Sequence, residues 1–169
     1  MELNSVIDQF KLNAKIISLL VQNTSEEQMQ WKPDGKWSML EVINHLYDEE
    51  REDFRERLSS TLADPGREWM PLDPESAVTE RNYNLRNIDK SLENFLSERE
   101  ASIKWLLNLS NPPWINVHNH PKLGPMSASS LLYNWLAHDY LHIRQLTKLK
   151  YMFLKKDVTP IALDYAGNW

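Results

Sequence analysis

The chain has 169 residues, 41% hydrophobic and 25% charged, the balance of an ordinary globular domain long enough to bury a continuous core. It contains no cysteine, which excludes disulfides, thiolate metal sites and a thiol nucleophile carried by the protein; four glycines argue against a turn-rich β fold or a glycine-built phosphate loop. The net charge is −5 with acids and bases mixed, whereas nucleic-acid binding draws its affinity from clustered Lys and Arg.

The one modest basic cluster is Lys148, Lys150, Lys155 and Lys156. No apolar run approaches the roughly 20 residues that span a bilayer, and Met1-Glu2-Leu3-Asn4-Ser5 lacks a secretory pattern. These features predict one domain over residues 1–169, located in the cytoplasm, with neither a nucleic-acid nor a membrane partner.

The first element runs from Leu3 to Val21, where Leu3, Val6, Ile7, Phe10, Ala14, Ile17 and Val21 recur with helical spacing. A polar stretch over 23–27 and then Trp31-Lys32-Pro33-Asp34-Gly35-Lys36 mark a turn. Ser38 and Glu41 predict a capping box, in which each side chain satisfies an orphan backbone N–H, with Trp37 and Val42 at the staple positions. The helix they open carries Ile43, Leu46, Tyr47, Phe54 and Leu58 on its apolar side. Residues 61–84, with prolines at 65, 71 and 74, form a connection that is long for a bundle. Such connections carry function or join parallel neighbours.

A third helix over 85–109 presents Ile88, Leu92, Phe95, Ile103 and Leu106 on one face. It ends at Asn111-Pro112-Pro113, since proline cannot continue the hydrogen-bond ladder. Residues 114–125 read as loop. A fourth helix opens at Ser127, with Met126 and Leu131 as its staple, and runs to Phe153; the last sixteen residues read as a tail packed on the bundle. Four amphipathic segments of about twenty residues predict an all-α four-helix bundle with a long crossover between helices two and three, and ligand sites between facing helices.

His138 and His142 stand four apart, so both project from one face of helix four, together with Leu131, Trp135, Leu146 and Leu149. Two imidazoles turned toward a core want hydrogen-bond partners or a metal. His45 on helix two falls outside the apolar stripe, on the side of Glu41, Asp48 and Glu49, so it is either solvent-exposed or part of a site at the bundle edge. Three neutral imidazoles with open positions make a reactive metal site, and Asp48, Glu49 or Asp139 either orient an imidazole or are simply solvated.

Arg99 interrupts the apolar face of helix three and either binds an anionic substrate group or pairs with a buried carboxylate. His118 and His120 precede helix four as surface residues. Gln145 lies near the histidine face, within reach of a metal-bound ligand. The tryptophans at 31, 37, 69, 105, 114, 135 and 169 belong to core or rim, with one or two walling a pocket.

Three blocks resemble the DinB/YfiT-like superfamily of metal-binding four-helix bundles. The first is Trp31-Lys32-Pro33 with Gly35-Lys36-Trp37-Ser38, leading through Glu41-Val42-Ile43-Asn44 to His45-Leu46. The second is Arg99 followed by Trp105-Leu106 and Leu109. The third is Trp114, His120-Pro121 and Gly124, then Leu131-Leu132, Trp135, His138-Asp139, His142 and Gln145-Leu146. One departure is Ser130, where a glutamate three residues after Ser127 would complete a capping box.

The resemblance implies a crossed connectivity, frequent dimers, and a metal, commonly zinc or nickel, held by one histidine of helix two and two of helix four. These map onto His45, His138 and His142. It also implies activities such as thiol-dependent S-transfer and isomerisation, with the metal activating the thiol of a low-molecular-weight cosubstrate. Absence of cysteine suits that chemistry, since the sulfur then comes from the cosubstrate, and Arg99 or His120 would position substrate. Hydrolysis is the alternative chemistry, with Asp48, Glu49 or Asp139 as base by position. A non-catalytic metal or ligand sensor and a purely structural bundle are the alternatives of another class. Imidazoles suit zinc, nickel, copper and iron alike.

Overall fold

The computed structural model describes residues 2–167; Trp169 lies outside the described residues. Helix α1 (Leu3–Val21) buries Val6, Ile7, Phe10, Asn13, Ile17 and Val21, one face at helical spacing. A short helix, α2 (Glu26–Gln30), is capped by Ser25, and a 3-10 turn over Pro33–Gly35 leads to α3 (Met39–Asp48). The capping box at its start is complete: Ser38 N donates to Glu41 Oε2 at 2.8 Å, and Glu41 N donates to Ser38 Oγ at 3.1 Å.

Helix α3 runs without a break through a π-helical turn (Glu49–Phe54) into α4 (Arg55–Ala63). The apolar pattern explains the extra residue. At about 100° per residue, Phe54 would lie about 80° from Leu46 in a regular helix. One inserted residue cancels that drift, and Phe54 packs on Trp135 while Leu58 is fully buried.

Residues 64–87 contain α5 (Pro74–Glu80), capped by Asp73, and a 3-10 turn over Tyr83–Leu85. Helix α6 (Ile88–Leu107) follows, then an antiparallel hairpin of β1 (Val117–His120) and β2 (Gly124–Ser127), and finally α7 (Ala128–Asp157), capped by Ser127. The hairpin corrects the expectation of a loop over 114–125. Its register, from Val117 opposite Ser127 to His120 opposite Gly124, puts Gly124 at φ +75°, where glycine carries no penalty. The tail corrects a second expectation. Rather than packing on the bundle, it leaves Ile161 and Tyr165 exposed.

Side-chain contacts fix the connectivity. Asn44 meets Ser91 and Arg55 meets Ser102, so α3–α4 and α6 are parallel neighbours, joined by the long crossover. His45 meets His138 and Glu50 meets Trp135, so α7 runs antiparallel to α3–α4. Asn13 meets Asp139 and Lys150 meets the Leu20 carbonyl, so α1 and α7 are parallel. Helices α1 and α3–α4 therefore stand on one diagonal, and α6 and α7 on the other. Two apolar layers fill the interior. One holds Ile17, Val42, Ile43, Phe95 and Leu146, the other Val6, Phe10, Leu58, Leu106 and Trp135. Between them lies a polar layer, and the three histidines stand at its height. No helix of the described residues is long and apolar enough to cross a membrane.

Candidate metal centre

His45 comes from α3, and His138 and His142 from successive turns of α7. One ligand nitrogen from each lies within 4.8 Å of the others. Nε2 of His138 stands 3.3 Å from Nε2 of His45 and 3.0 Å from Nε2 of His142. Two nitrogens each about 2.0–2.1 Å from a tetrahedral ion stand about 3.3–3.4 Å apart, so the spacing fits a shared divalent ion.

Proton bookkeeping points the same way. Nδ1 of His142 donates to Gln145 Oε1 at 2.8 Å, which leaves its Nε2 as a bare lone pair. One N–H on His138 Nε2 can answer one neighbour but not both. Burial, followed by the neighbouring His142, lowers His45 to about 3; burial, followed by His142 and His45, lowers His138 to about 2. Burial also lowers His142. All three are neutral imidazoles at pH 7, the form that ligates metal. The three form a group able to hold a metal ion.

His45 is only 5% exposed, so a solvent-exposed position does not describe it. Trp37 packs edge-on against its ring at 4.8 Å, and α3 is buried on almost every side. The carboxylates beside it divide sharply. Burial pushes Asp48 up, but hydrogen bonds from Tyr83, Arg81 and Arg51 hold it below its ordinary value, so Asp48 is bound to those three groups and not to a histidine. Glu49 Oε1 stands 3.7 Å from His45 Nδ1. Burial, then the adjacent Asp53 carboxylate, raises Glu49 to about 8, so this contact joins two neutral groups near pH 7 and is not an ion pair.

Asp139 is fully buried and hydrogen-bonded to Arg99 and Asn13, not to a histidine. It accepts both terminal nitrogens of Arg99, at 2.7 and 2.8 Å, and Asn13 Nδ2 at 3.1 Å. Arg99 also donates from Nε to Glu50 Oε1 at 2.8 Å, and Glu50 Oε2 accepts Trp135 Nε1 at 3.1 Å. Of the two roles open to Arg99, the structure supports pairing with buried carboxylates. At 1% exposure, with three nitrogens engaged, it has nothing to offer an anionic substrate. Gln145 likewise orients His142 instead of reaching toward a ligand.

A cavity of about 270 Å³ opens beside His138. Phe54, Leu123, Met126, Leu131, Ala137 and Leu141 make it mainly apolar, and Asp53, Arg57, Trp69, His120 and Asn134 supply its polar and aromatic rim. Asp53, Arg57, Trp69 and His120 also border an adjoining space of about 670 Å³ under the 68–74 segment and the hairpin. His120 thus stands at the mouth, its Nδ1 accepting the Lys122 and Leu123 amides at 3.1 Å each. His118 is buried, hydrogen-bonded to the Pro65 carbonyl and stacked on Trp69 at 3.8 Å.

Sequence reasoning missed Glu50, Asp53 and Arg57, because an unbroken 3.6-residue wheel puts the helix after residue 49 in the wrong phase. The drift of Phe54 and Leu58 away from Leu46 was the signal that could have shown it.

The fold is similar to that of YfiT from Bacillus subtilis, described as "a probable metal-dependent hydrolase with an unusual four-helix bundle topology". The TM-score is 0.80 at 17% identity, covering 90% of this chain and 87% of that one. Comparison with curated protein sequences finds no match. The family model of the DinB superfamily matches residues 9–146. That match spans most of the chain, which therefore belongs to the DinB superfamily.

Proposed function

We propose that the protein is a metal-dependent enzyme that hydrolyses a small, partly apolar molecule at a centre held by His45, His138 and His142. The observation that carries this reading is the convergence of three neutral imidazole Nε2 atoms, His45 and His142 buried and His138 part-buried at the wall of an open cavity. The description of YfiT as a probable metal-dependent hydrolase supports it. When bound, a divalent ion such as zinc or nickel would supply Lewis acidity, polarising the substrate and making the attacking water more acidic.

The chain's own groups do the rest. Gln145 holds the His142 proton on Nδ1 and so presents Nε2. Glu49 faces the Nδ1 edge of His45. Phe54, Leu131 and Leu141 exclude water from the cavity beside His138 and receive the apolar part of the substrate. His120 and Asn134 contact its polar part from the rim. A cytoplasmic homodimer belongs to the same reading.

The test is a panel of chromogenic esters and amides offered to chelator-treated, zinc-loaded and nickel-loaded protein. Turnover that appears on loading and vanishes with His45→Ala supports the reading; equal turnover in all preparations contradicts it. A second reading, transfer from a low-molecular-weight thiol, is favoured by the lack of any cysteine in the chain, which leaves a cosubstrate as the source of sulfur. Turnover that requires added thiol selects it over hydrolysis.

A further inference from the structure

Five acidic side chains surround the histidines, and four of them do not line the cavity beside His138. Asp48 is held by Tyr83, Arg81 and Arg51. Glu50 and Asp139 are closed around Arg99, and Glu49 faces His45 and shares a hydrogen bond with Asp53. The fifth, Asp53, is the one acid among the described residues that lines the cavity containing His138.

The π-helical turn puts it there. In a regular helix Asp53, eight residues after His45, would point about 80° away from it; with one residue inserted it returns to within about 20° of the same line. His45, Glu49, Asp53 and Arg57 then form a column down one side of the helix, with Arg57 Nε in ion-pair contact with Asp53 Oδ1 at 2.9 Å. The Asp53 side chain is still 15% exposed, toward the cavity. A π turn costs hydrogen-bond geometry and recurs where a helix must aim a side chain at a site.

Resting on the hydrolytic reading above, we propose that Asp53 is a catalytic residue of this cavity, serving as general base. Its carboxylate takes a proton from the incoming water as the water oxygen bonds to the electrophilic carbon of the substrate. It returns that proton to the leaving atom as the bond between that atom and the carbon breaks. The proton count on Asp53 is the same before and after a turnover.

The test uses full-length, zinc-loaded protein as parent, Asp53→Asn and Asp53→Glu, with zinc content measured for each. 4-Nitrophenyl acetate isolates the base step, because its leaving group needs no proton. In Asp53→Asn, kcat falls by about 10²–10⁴-fold, the usual worth of a positioned base, while KM and zinc content stay near the parent's. Asp53→Glu, which keeps a carboxylate, regains part of the loss.

A second readout is independent of turnover. Acetohydroxamic acid must lose a proton to bind as an anion, and calorimetry in buffers of different ionisation enthalpy counts where that proton goes. The parent keeps it on Asp53, and Asp53→Asn releases it to buffer. A zinc-loaded Asp53→Asn that matches the parent in both readouts overturns the role of Asp53 alone. A parent that takes up no zinc overturns the triad and this inference together.

Discussion

Two buried polar clusters share the middle of the bundle, and they are built on opposite plans. Around Arg99, opposite charges interlock: Glu50 on one side, a bidentate Asp139 on the other, with Trp135 donating to the second Glu50 oxygen and Asn13 adding a bond to Asp139. Its members come from α1, the π turn of α3–α4, α6 and α7, so the cluster ties the four together. A few ångströms away, the histidines do the reverse. Three groups of one kind converge with too few protons to answer one another, and an open cavity adjoins them. A closed network is structural; a convergent, underprotonated one is able to hold an ion. The contrast also explains why both belong at one height. The Arg99 cluster fixes the phase of α7 through Asp139, the residue next to His138, and the phase of the π turn through Glu50.

Breaking the closed cluster has the largest expected effect. Arg99→Leu leaves two carboxylates buried without their cation and is expected to cost about 3–5 kcal/mol of stability, measured by urea unfolding of metal-free protein. A cost near zero would mean that the cluster does not hold the helices together. Gln145→Leu acts on the other cluster without touching the core. Zinc affinity falls about 10–100-fold, as for loss of a group that orients a metal ligand, while the unfolding midpoint of the metal-free protein barely moves. Competition with a chromogenic chelator measures it. Ser38→Ala removes the cap beneath His45 and costs about 1 kcal/mol, with zinc stoichiometry retained.

The smallest effect concerns protons. In the metal-free protein, the C2–H resonances of His45 and His138 show no titration step near 6.5, because their midpoints lie at about 3 and about 2. Folding favours their neutral forms, so the stability they carry is complete above 6.5 and is withdrawn as pH falls from there toward 3. Glu49, raised from 4.5 to about 8, acts in the opposite sense: its contribution is complete below 4.5 and is lost as pH rises toward 8. The resonances separate the two where a melting curve would blend them. A step near 6.5 would contradict the buried, neutral triad.

Much of this architecture is legible in the sequence, for identifiable reasons. The α1 stripe, the Ser38–Glu41 box and the Ser127 cap are local patterns, and local patterns survive folding. The four-residue spacing of His138 and His142 is local too. What the sequence hides depends on partners far along the chain. His45 looks exposed on a helical wheel because α5, the Tyr83 turn and Trp37 cover its side of α3, and periodicity does not place connections. Arg99 announces itself as an interruption of an apolar face, but Glu50 and Asp139 lie 49 and 40 residues away. The hairpin is too short to show alternation, with four residues per strand and Pro125 within β2. The π turn shifts every residue after Glu49 by one position, which is why Asp53 stayed out of view.

The claim on which the rest depends is that the convergent histidines hold an ion. Metal content by inductively coupled plasma mass spectrometry, on tag-free protein beside His142→Ala and Arg99→Leu, tests it most directly. The account predicts near-stoichiometric metal in the parent and loss of metal in His142→Ala. Folded Arg99→Leu, by contrast, still takes up zinc on reconstitution. A parent that stays empty after reconstitution with zinc and with nickel, or a His142→Ala variant as fully loaded as the parent, would contradict it.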